Sequence, residues 1–309
     1  MLKGRDLVSI GDLNREEILH LFERARALKK EWKEGGNRPL FAGKTLAMIF
    51  EKPSLRTRYT FEAGMAHVGG HAVYLGPNDI RLGVRESVAD VAENLSRWAE
   101  LIMARTFAHS TVVGLAEHAS IPVINGLSDQ EHPCQALADL LTVWEHKGRF
   151  EGLGFSYVGD GNNVCHSLML ICALLGTDFS VACPPGYEPD KEIEAQARRL
   201  TAQSGSALQI VRDPHEAARD ADVLYTDVWA SMGQESEAEA RKGIFAPYQL
   251  NAALVALAKP DVIVEHCLPA HRGDEITDEV IDGPHSVVLD EAENRLHAQK
   301  ALMVELLGL

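Results

Sequence analysis

Several short stretches of the chain carry side chains that can hold an anion or move a proton. The first is "EKPSLRTRYT", residues 51–60. Ser54 and Thr57 supply hydroxyl donors, and Arg56 and Arg58 supply guanidinium forks whose N–H pairs match phosphate oxygens. If Ser54 caps a helix, the first-turn N–H groups and the positive end of the dipole add to the same cradle. The stretch would serve equally as a helix cap followed by a solvated basic face. It is not a P-loop, because the glycines and the Lys-Ser/Thr pair are missing.

The second stretch is "EHPCQALADL", residues 131–140. Pro133 suits the first helical position. His132 and Gln135 then lie three apart, so an imidazole donor and an amide can meet one ligand. A plain capped helix start accounts for the same residues. In "GDGNN", residues 159–163, a glycine-rich turn is followed by Asn162 and Asn163, which can hold a polar substrate. It falls short of a dinucleotide-binding turn, since Val164 stands where the third glycine belongs, and no acid for a ribose closes the next strand. In "DVWASMGQE", residues 227–235, Asp227 can pair with an amine, and Ser231 with the Met232–Gly233 backbone can hold a polar group. In "HCLPAHRGDE", residues 266–275, Cys267 falls where open α/β sheets bind ligands. Neighbours on a strand point to opposite faces, so His266 and Cys267 are not expected to form a base–nucleophile couple there.

These stretches need a scaffold, and the pattern between them supplies one. Asn14 with Glu17 reads as a capping box opening a helix that Gly35 and Gly36 end. Short apolar runs at 45–50, 71–75, 101–104 and 122–125 read as strands, alternating with helices at 86–98, 109–119 and 133–147. A second series has strands at 154–160, 178–183, 207–211, 222–227, 261–267 and 286–290, helices at 162–175 and 189–203, and a last helix at 291–307. Such alternation means parallel sheets covered by helices. The expected fold class is α/β: two doubly wound parallel-sheet domains of similar size and a C-terminal helix. The expected domains are 1–149 and 150–290, with 291–309 packing back on the first. Nearly every site candidate follows the carboxyl end of a strand, where such sheets bind ligands.

Composition narrows the partners. Of 309 residues, 46% are hydrophobic and 24% charged, as in an ordinary globular protein, and 30 Lys and Arg against 45 Asp and Glu give −15. That balance argues against nucleic acid and anionic membranes as partners and requires a local basic pocket for any anionic substrate. No apolar run approaches the length of a membrane span, and the start lacks the apolar core of a secretory leader. Five cysteines with no CxxC spacing fit a reducing compartment, so a cytoplasmic location is expected.

In combination and in this order, "SLRTR", "HPCQ", "DVWASMGQE", "HCLPAHRGDE" and "EAENR" (291–295) resemble the ornithine carbamoyltransferases of the aspartate/ornithine carbamoyltransferase family. The resemblance runs from Glu51 to Arg295. It implies transfer of the carbamoyl group from carbamoyl phosphate to the δ-amine of L-ornithine, giving L-citrulline and phosphate. A same-class alternative uses another amine such as putrescine. It implies that the phosphate sits on Ser54, the Leu55 N–H, Arg56 and Thr57 and meets Arg105 of "IMART". The carbamoyl group would meet His132, Gln135, the Cys267–Leu268 backbone and Arg295. Ornithine would be held by Asn163, Asp227, Ser231 and Met232. The implied assembly is a homotrimer or a multiple of trimers, without metal or organic cofactor. Two departures stand out. Leu55 replaces the usual Thr of S-T-R-T-R, so that position grips through its backbone. Arg81 stands where Gln or His is usual, a position expected to reach the neighbouring subunit's phosphate.

The chemistry sets three needs. The attacking amine must be neutral although a free alkyl amine has a pKa of roughly 10, and Asp227 and Cys267 are the groups placed to orient it and manage its proton. The tetrahedral oxyanion needs donors, for which Arg105, His132 and Thr57 are candidates. The leaving phosphate needs Arg56 and the helix N-terminus. No covalent enzyme intermediate is required.

Overall fold

A computed structural model of the protein describes residues 2–230 and 235–309. The chain divides into two compact units, one of residues 1–138 with 293–309 and one of 139–292. The divisions fall inside two helices, Pro133–Lys147 and Val288–Leu307. No described helix is long and apolar enough to cross a membrane.

In the first unit the strands are β1 (Thr45–Phe50), β2 (His71–Leu75), β3 (Leu101–Arg105) and β4 (Val123–Leu127). They pair in the order β2-β1-β3-β4, all parallel. β1, β3 and β4 are buried almost throughout, as parallel strands covered on both faces should be. Ala47, Ile49, Ile102, Ala104 and Val123 pack with Val91, Val112 and Leu115 of the covering helices. Near the start of the chain Leu7 adds to the β4 side: its N–H reaches the Val123 carbonyl at 2.9 Å and its carbonyl takes the Asn125 N–H at 2.8 Å. The helix Arg15–Lys33 opens with the expected capping box between Asn14 and Glu17.

In the second unit β5 (Gly154–Val158), β6 (Asp178–Ala182), β7 (Leu208–Val211), β8 (Val223–Tyr225) and β9 (Ile263–Glu265) pair in the order β7-β6-β5-β8-β9, again all parallel. The core at β8 and β9 is built from Leu224, Val262 and Val264 with Trp229, Phe245, Leu250 and Ile276.

Two doubly wound parallel sheets and a C-terminal helix are therefore what the alternation implies. One element differs. The run 286–290 reads as a strand in the sequence, but it meets the sheet only at an isolated bridge between Ser286 and Val264, closed by the His285 carbonyl and the Val287 N–H, and the last helix already begins at Val288. A five-residue apolar run does not distinguish a buried strand from a buried helix start. Here Asp290 and Glu291 fall in the first helical turn, where the dipole favours acids.

The strand orders locate the sites. In each sheet the order reverses once, between β1 and β3 and between β5 and β8. Ligands of open α/β sheets bind outside the carboxyl ends of the strands at that reversal.

Candidate active-site residues of the two units

At the first reversal, β1 leads into Ser54 and β3 ends on Arg105. Ser54 caps the helix Leu55–His67, its Oγ accepting the Thr57 N–H at 3.2 Å. The hydroxyl keeps its proton for a ligand. The first-turn N–H groups have no carbonyl one turn back, so they face out of the helix start. Leu55 is 77% exposed, so its side chain fills no part of the interior and the position can contribute only through its backbone. Thr57 is buried, and its Oγ1 accepts from Arg295 at 3.2 Å, which turns its own proton away from that guanidinium.

Arg295, 2% exposed, also donates to Gln135 Oε1 and so fixes which way that amide faces. His132 stands at the start of the helix Pro133–Lys147. Burial, and then the charges of Arg295, Arg105 and Arg56, hold its pKa well below 6.5. The imidazole is therefore neutral at physiological pH, and three guanidiniums far apart in sequence gather around it. Among the described residues, none of the contacts joining this group involves Arg81. It is exposed on a turn with φ 47°, at the C-terminus of the short helix Pro77–Ile80. Arg58 also stands aside: it pairs with Glu62 at 3.0 Å and lies 3.9 Å over the Tyr74 ring.

At the second reversal, Asp227 follows β8 and collects three donors. Asn162 Nδ2 reaches Oδ2 at 2.8 Å, while the Val228 N–H and the Cys267 thiol reach Oδ1 at 2.8 and 3.0 Å. Asn162 is itself fixed, its Oδ1 accepting the N–H groups of Val164 and Cys165 and the Tyr157 hydroxyl. Asn163, the first residue of the helix Asn163–Leu175, is half-buried beside it. The tightness of the turn rests on Gly161, where a Cβ would fall 2.3 Å from the Pro189 nitrogen.

Burial first, and then Asp227, raise the Cys267 pKa well above 9.0, so the thiol is a donor and not a thiolate nucleophile. The reason His266 is no base for it differs from the one expected. β9 ends at Glu265, so strand alternation does not separate the two side chains, and reactive atoms of Asp227, His266 and Cys267 lie within 4.8 Å of one another. His266 is instead occupied. Its Nδ1 accepts the Leu268 N–H at 2.9 Å, which leaves Nε2–H to donate to Glu275 Oε1 at 3.1 Å. With that lone pair engaged and the thiol keeping its proton and donating it to Asp227, the three side chains form a hydrogen-bonded set and not an open ligand set for a cation. Leu268 adopts φ 56°. A left-handed leucine costs on the order of 1–3 kcal/mol unless its surroundings hold it, and His266 is what holds it.

Sequence reasoning missed several residues here. Asn162 is visible as half of a tandem, but nothing marks it as the one that binds Asp227. Arg241 donates to Asp160 at 2.7 Å, to the Trp229 carbonyl at 2.9 Å and to Glu237 at 3.0 Å, so it ties the "GDGNN" turn to the stretch after β8. Burial outweighs Arg241 and raises Asp160 to about 6. Nothing local in "EARKG" signals that role. Ser231 and Met232 lie outside the described residues.

Comparison with known proteins agrees with both halves. The family described as "Aspartate/ornithine carbamoyltransferase, carbamoyl-P binding domain" matches residues 5–145, and "Aspartate/ornithine carbamoyltransferase, Asp/Orn binding domain" matches residues 151–306. The chain is 58% identical over 307 residues to an ornithine carbamoyltransferase of Pyrococcus horikoshii, covering 99% of this chain and 97% of that one. It is 55% identical to an anabolic ornithine carbamoyltransferase of Pyrococcus furiosus, with 99% and 98% covered. A solved ornithine carbamoyltransferase structure from Pyrococcus furiosus superposes with a TM-score of 0.97 at 55% identity, over 99% of this chain and 98% of that one. One from Thermus thermophilus gives 0.87 at 46% identity, with 98% of each chain covered.

Proposed function

Because the chain belongs to the aspartate/ornithine carbamoyltransferase family, we infer that it transfers the carbamoyl group of carbamoyl phosphate to the δ-amine of L-ornithine, yielding L-citrulline and phosphate. The observation that carries this reading is the gathering of Arg56, Arg105 and Arg295 around a neutral His132, with Arg56 in the first turn of the helix that Ser54 caps. Three guanidiniums drawn together, two of them buried, in a protein with net charge −15 suit a small, highly charged anion.

The Ser54–Thr57 turn, with the Leu55 N–H, and Arg56 and Arg105 bind the phosphate. Their positive charge stabilises it as it leaves. His132, neutral and so a donor that keeps its proton, takes the carbamoyl oxygen. Arg105 and Thr57 donate to the same oxygen as it becomes an oxyanion. Gln135, aligned by Arg295, orients the carbamoyl amide. In the second unit Asp227 and the Cys267 thiol receive the δ-amine. Asp227 accepts from it, and the thiol donates to Asp227 and so tempers the pull of that carboxylate toward a charged, unreactive ammonium. The Cys267–Leu268 backbone, Asn163, Ser231 and Met232 complete the substrate contacts in the roles the family resemblance assigns.

Incubation with carbamoyl phosphate and, separately, ornithine, putrescine, aspartate or acetylornithine should give ureido product and phosphate with ornithine alone. No product with any amine would overturn the transferase reading, and faster turnover of another amine would overturn the substrate. The relatives are ornithine carbamoyltransferases, which favours ornithine over putrescine.

The assembly is read as a homotrimer or a multiple of it. Leu55 and Tyr59, 77% and 68% exposed on the helix that carries Arg56, are apolar surface that a second copy would cover. Arg81 is assigned to the neighbouring copy's phosphate. Sedimentation should give three chains or a multiple, and a stable monomer at assay concentration would exclude it. Five free cysteines suit a reducing cytoplasm.

A further inference from the structure

Behind the Cys267 turn lies a group of buried acids that the chemistry above does not use. Glu291 accepts the His266 N–H on Oε2 at 2.9 Å, and its carboxyl also shares a side-chain hydrogen bond with Asp139. A hydrogen bond between two carboxyl groups requires a proton on one of them, because an ionised carboxylate only accepts. Both residues are withdrawn from solvent, Asp139 at 0% and Glu291 at 1% exposure. Glu265 is a third buried acid, at 0%, and neither of its oxygens has a hydrogen-bond partner among the described residues. Water does not reach this group, so two adjacent negative charges would have little screening.

We propose that Asp139 and Glu291 are positioning residues for the transfer reaction: as a pair sharing one proton, they hold the His266 N–H and with it the backbone that presents Cys267 and Leu268. This rests on the carbamoyl-transfer reading. The route is short. Glu291 fixes the His266 backbone, the His266 ring fixes the Leu268 N–H, and Cys267 between them is aimed at Asp227.

The titratable groups facing the pair come from every element around it. They are Glu265 on β9, Tyr225 on β8, Cys172 on the helix Asn163–Leu175, and Cys267 and His266 beyond β9. Burial and then the neighbouring acids push Glu265 and Glu291 well above the usual carboxylate range. The sign is that of a raised acid: the shared proton is held to a higher pH than an exposed carboxyl would hold it and is lost as pH rises. Loss of it sets two carboxylates against each other and loosens Glu291 from the His266 N–H. Turnover should therefore fall on an alkaline limb that belongs to the pair.

The test compares the full chain with Glu291→Gln, Asp139→Asn and Glu291→Ala. It measures kcat and both KM values across pH, the denaturation midpoint, and the infrared carbonyl band of protonated carboxyl groups. Glu291→Gln keeps an acceptor for His266 and replaces the shared proton with an amide N–H. It should hold kcat within about threefold at neutral pH and carry the alkaline limb upward. Glu291→Ala strands the His266 N–H and should lower kcat by about 10- to 100-fold, with a smaller rise in the KM for carbamoyl phosphate, whose phosphate is held by the first unit. The protonated-carboxyl band of the parent should weaken in both Glu291→Gln and Asp139→Asn. An unmoved alkaline limb in Glu291→Gln, or unchanged turnover in Glu291→Ala, overturns the proposal. If the parent transfers no carbamoyl group at all, the carbamoyl-transfer reading fails, and the infrared band still decides whether the pair shares a proton.

Discussion

Arg56→Ala should lower kcat/KM for carbamoyl phosphate by about 10²–10³-fold and leave the ligand-free protein no less stable. The two readouts are expected to part because Arg56 occupies an unfavourable place for the fold. It lies in the first turn of the helix Leu55–His67, which has no acid in that turn to offset the dipole. A cation there costs on the order of a few tenths of a kcal/mol. It also shares the neighbourhood of His132 with Arg105 and Arg295, so the ligand-free group repels itself. Alanine relieves both effects and has the better helix propensity. Inorganic phosphate should raise the melting temperature of the parent and do so less in Arg56→Ala, since a ligand stabilises only the state that binds it. Steady-state kinetics with melts taken with and without phosphate check all three. A variant with kcat/KM within about threefold of the parent would mean that the phosphate is held elsewhere.

Asp227→Asn should lower kcat by about 10²–10⁴-fold with the KM for carbamoyl phosphate nearly unchanged. The carboxylate accepts from Asn162, from the Val228 N–H and from the Cys267 thiol. An asparagine can satisfy these only in part. Whichever way its amide turns, the NH₂ end meets a donor: the Asn162 amide on one side, the thiol and the Val228 N–H on the other. The conflict disturbs the place assigned to the δ-amine and leaves untouched Arg56, Arg105, His132 and Arg295, the group assigned to carbamoyl phosphate. Saturation kinetics in each substrate separate the two. A parallel rise in the KM for carbamoyl phosphate would show that Asp227 is part of the phosphate grip instead.

Much of this was legible in the chain because periodicity reports burial. The apolar runs mark the nine strands among the described residues, and Asn14, Ser54 and Pro133 mark helix starts, each through chemistry that acts over three or four residues. The errors have a pattern. The sequence reads strands continuing to Asp160, Asp227 and Cys267, whereas β5, β8 and β9 end at Val158, Tyr225 and Glu265. These are the places where the backbone leaves the sheet to present Asn162, Asp227 and Cys267, and residues just past a strand keep its composition after losing its geometry. Pairs distant in sequence were not legible at all. Arg295 with Thr57, Arg241 with Asp160 and Asp139 with Glu291 depend on which strands become neighbours, and no local window contains that information. The family resemblance supplied Arg295 and Arg105. Nothing supplied Asn162 as the partner of Asp227, because a tandem of asparagines looks the same whichever one turns inward.

The pairing of Leu7 along β4 bears on how copies of this protein can associate. A parallel sheet ends in two rows of unpaired amides and carbonyls, and such rows recruit strands from other molecules. On the β4 side that row is taken up by Leu7, whose N–H and carbonyl bond Val123 and Asn125, and by the Asn125 amide, which donates to the Val8 carbonyl. Strand augmentation from that side is closed. What remains of the margin is β2, where His71 and Val73 are exposed. Strand pairing between copies at the margin of this sheet is therefore left to β2, and the residues around Leu7 occupy the backbone groups through which β4 could otherwise recruit a strand.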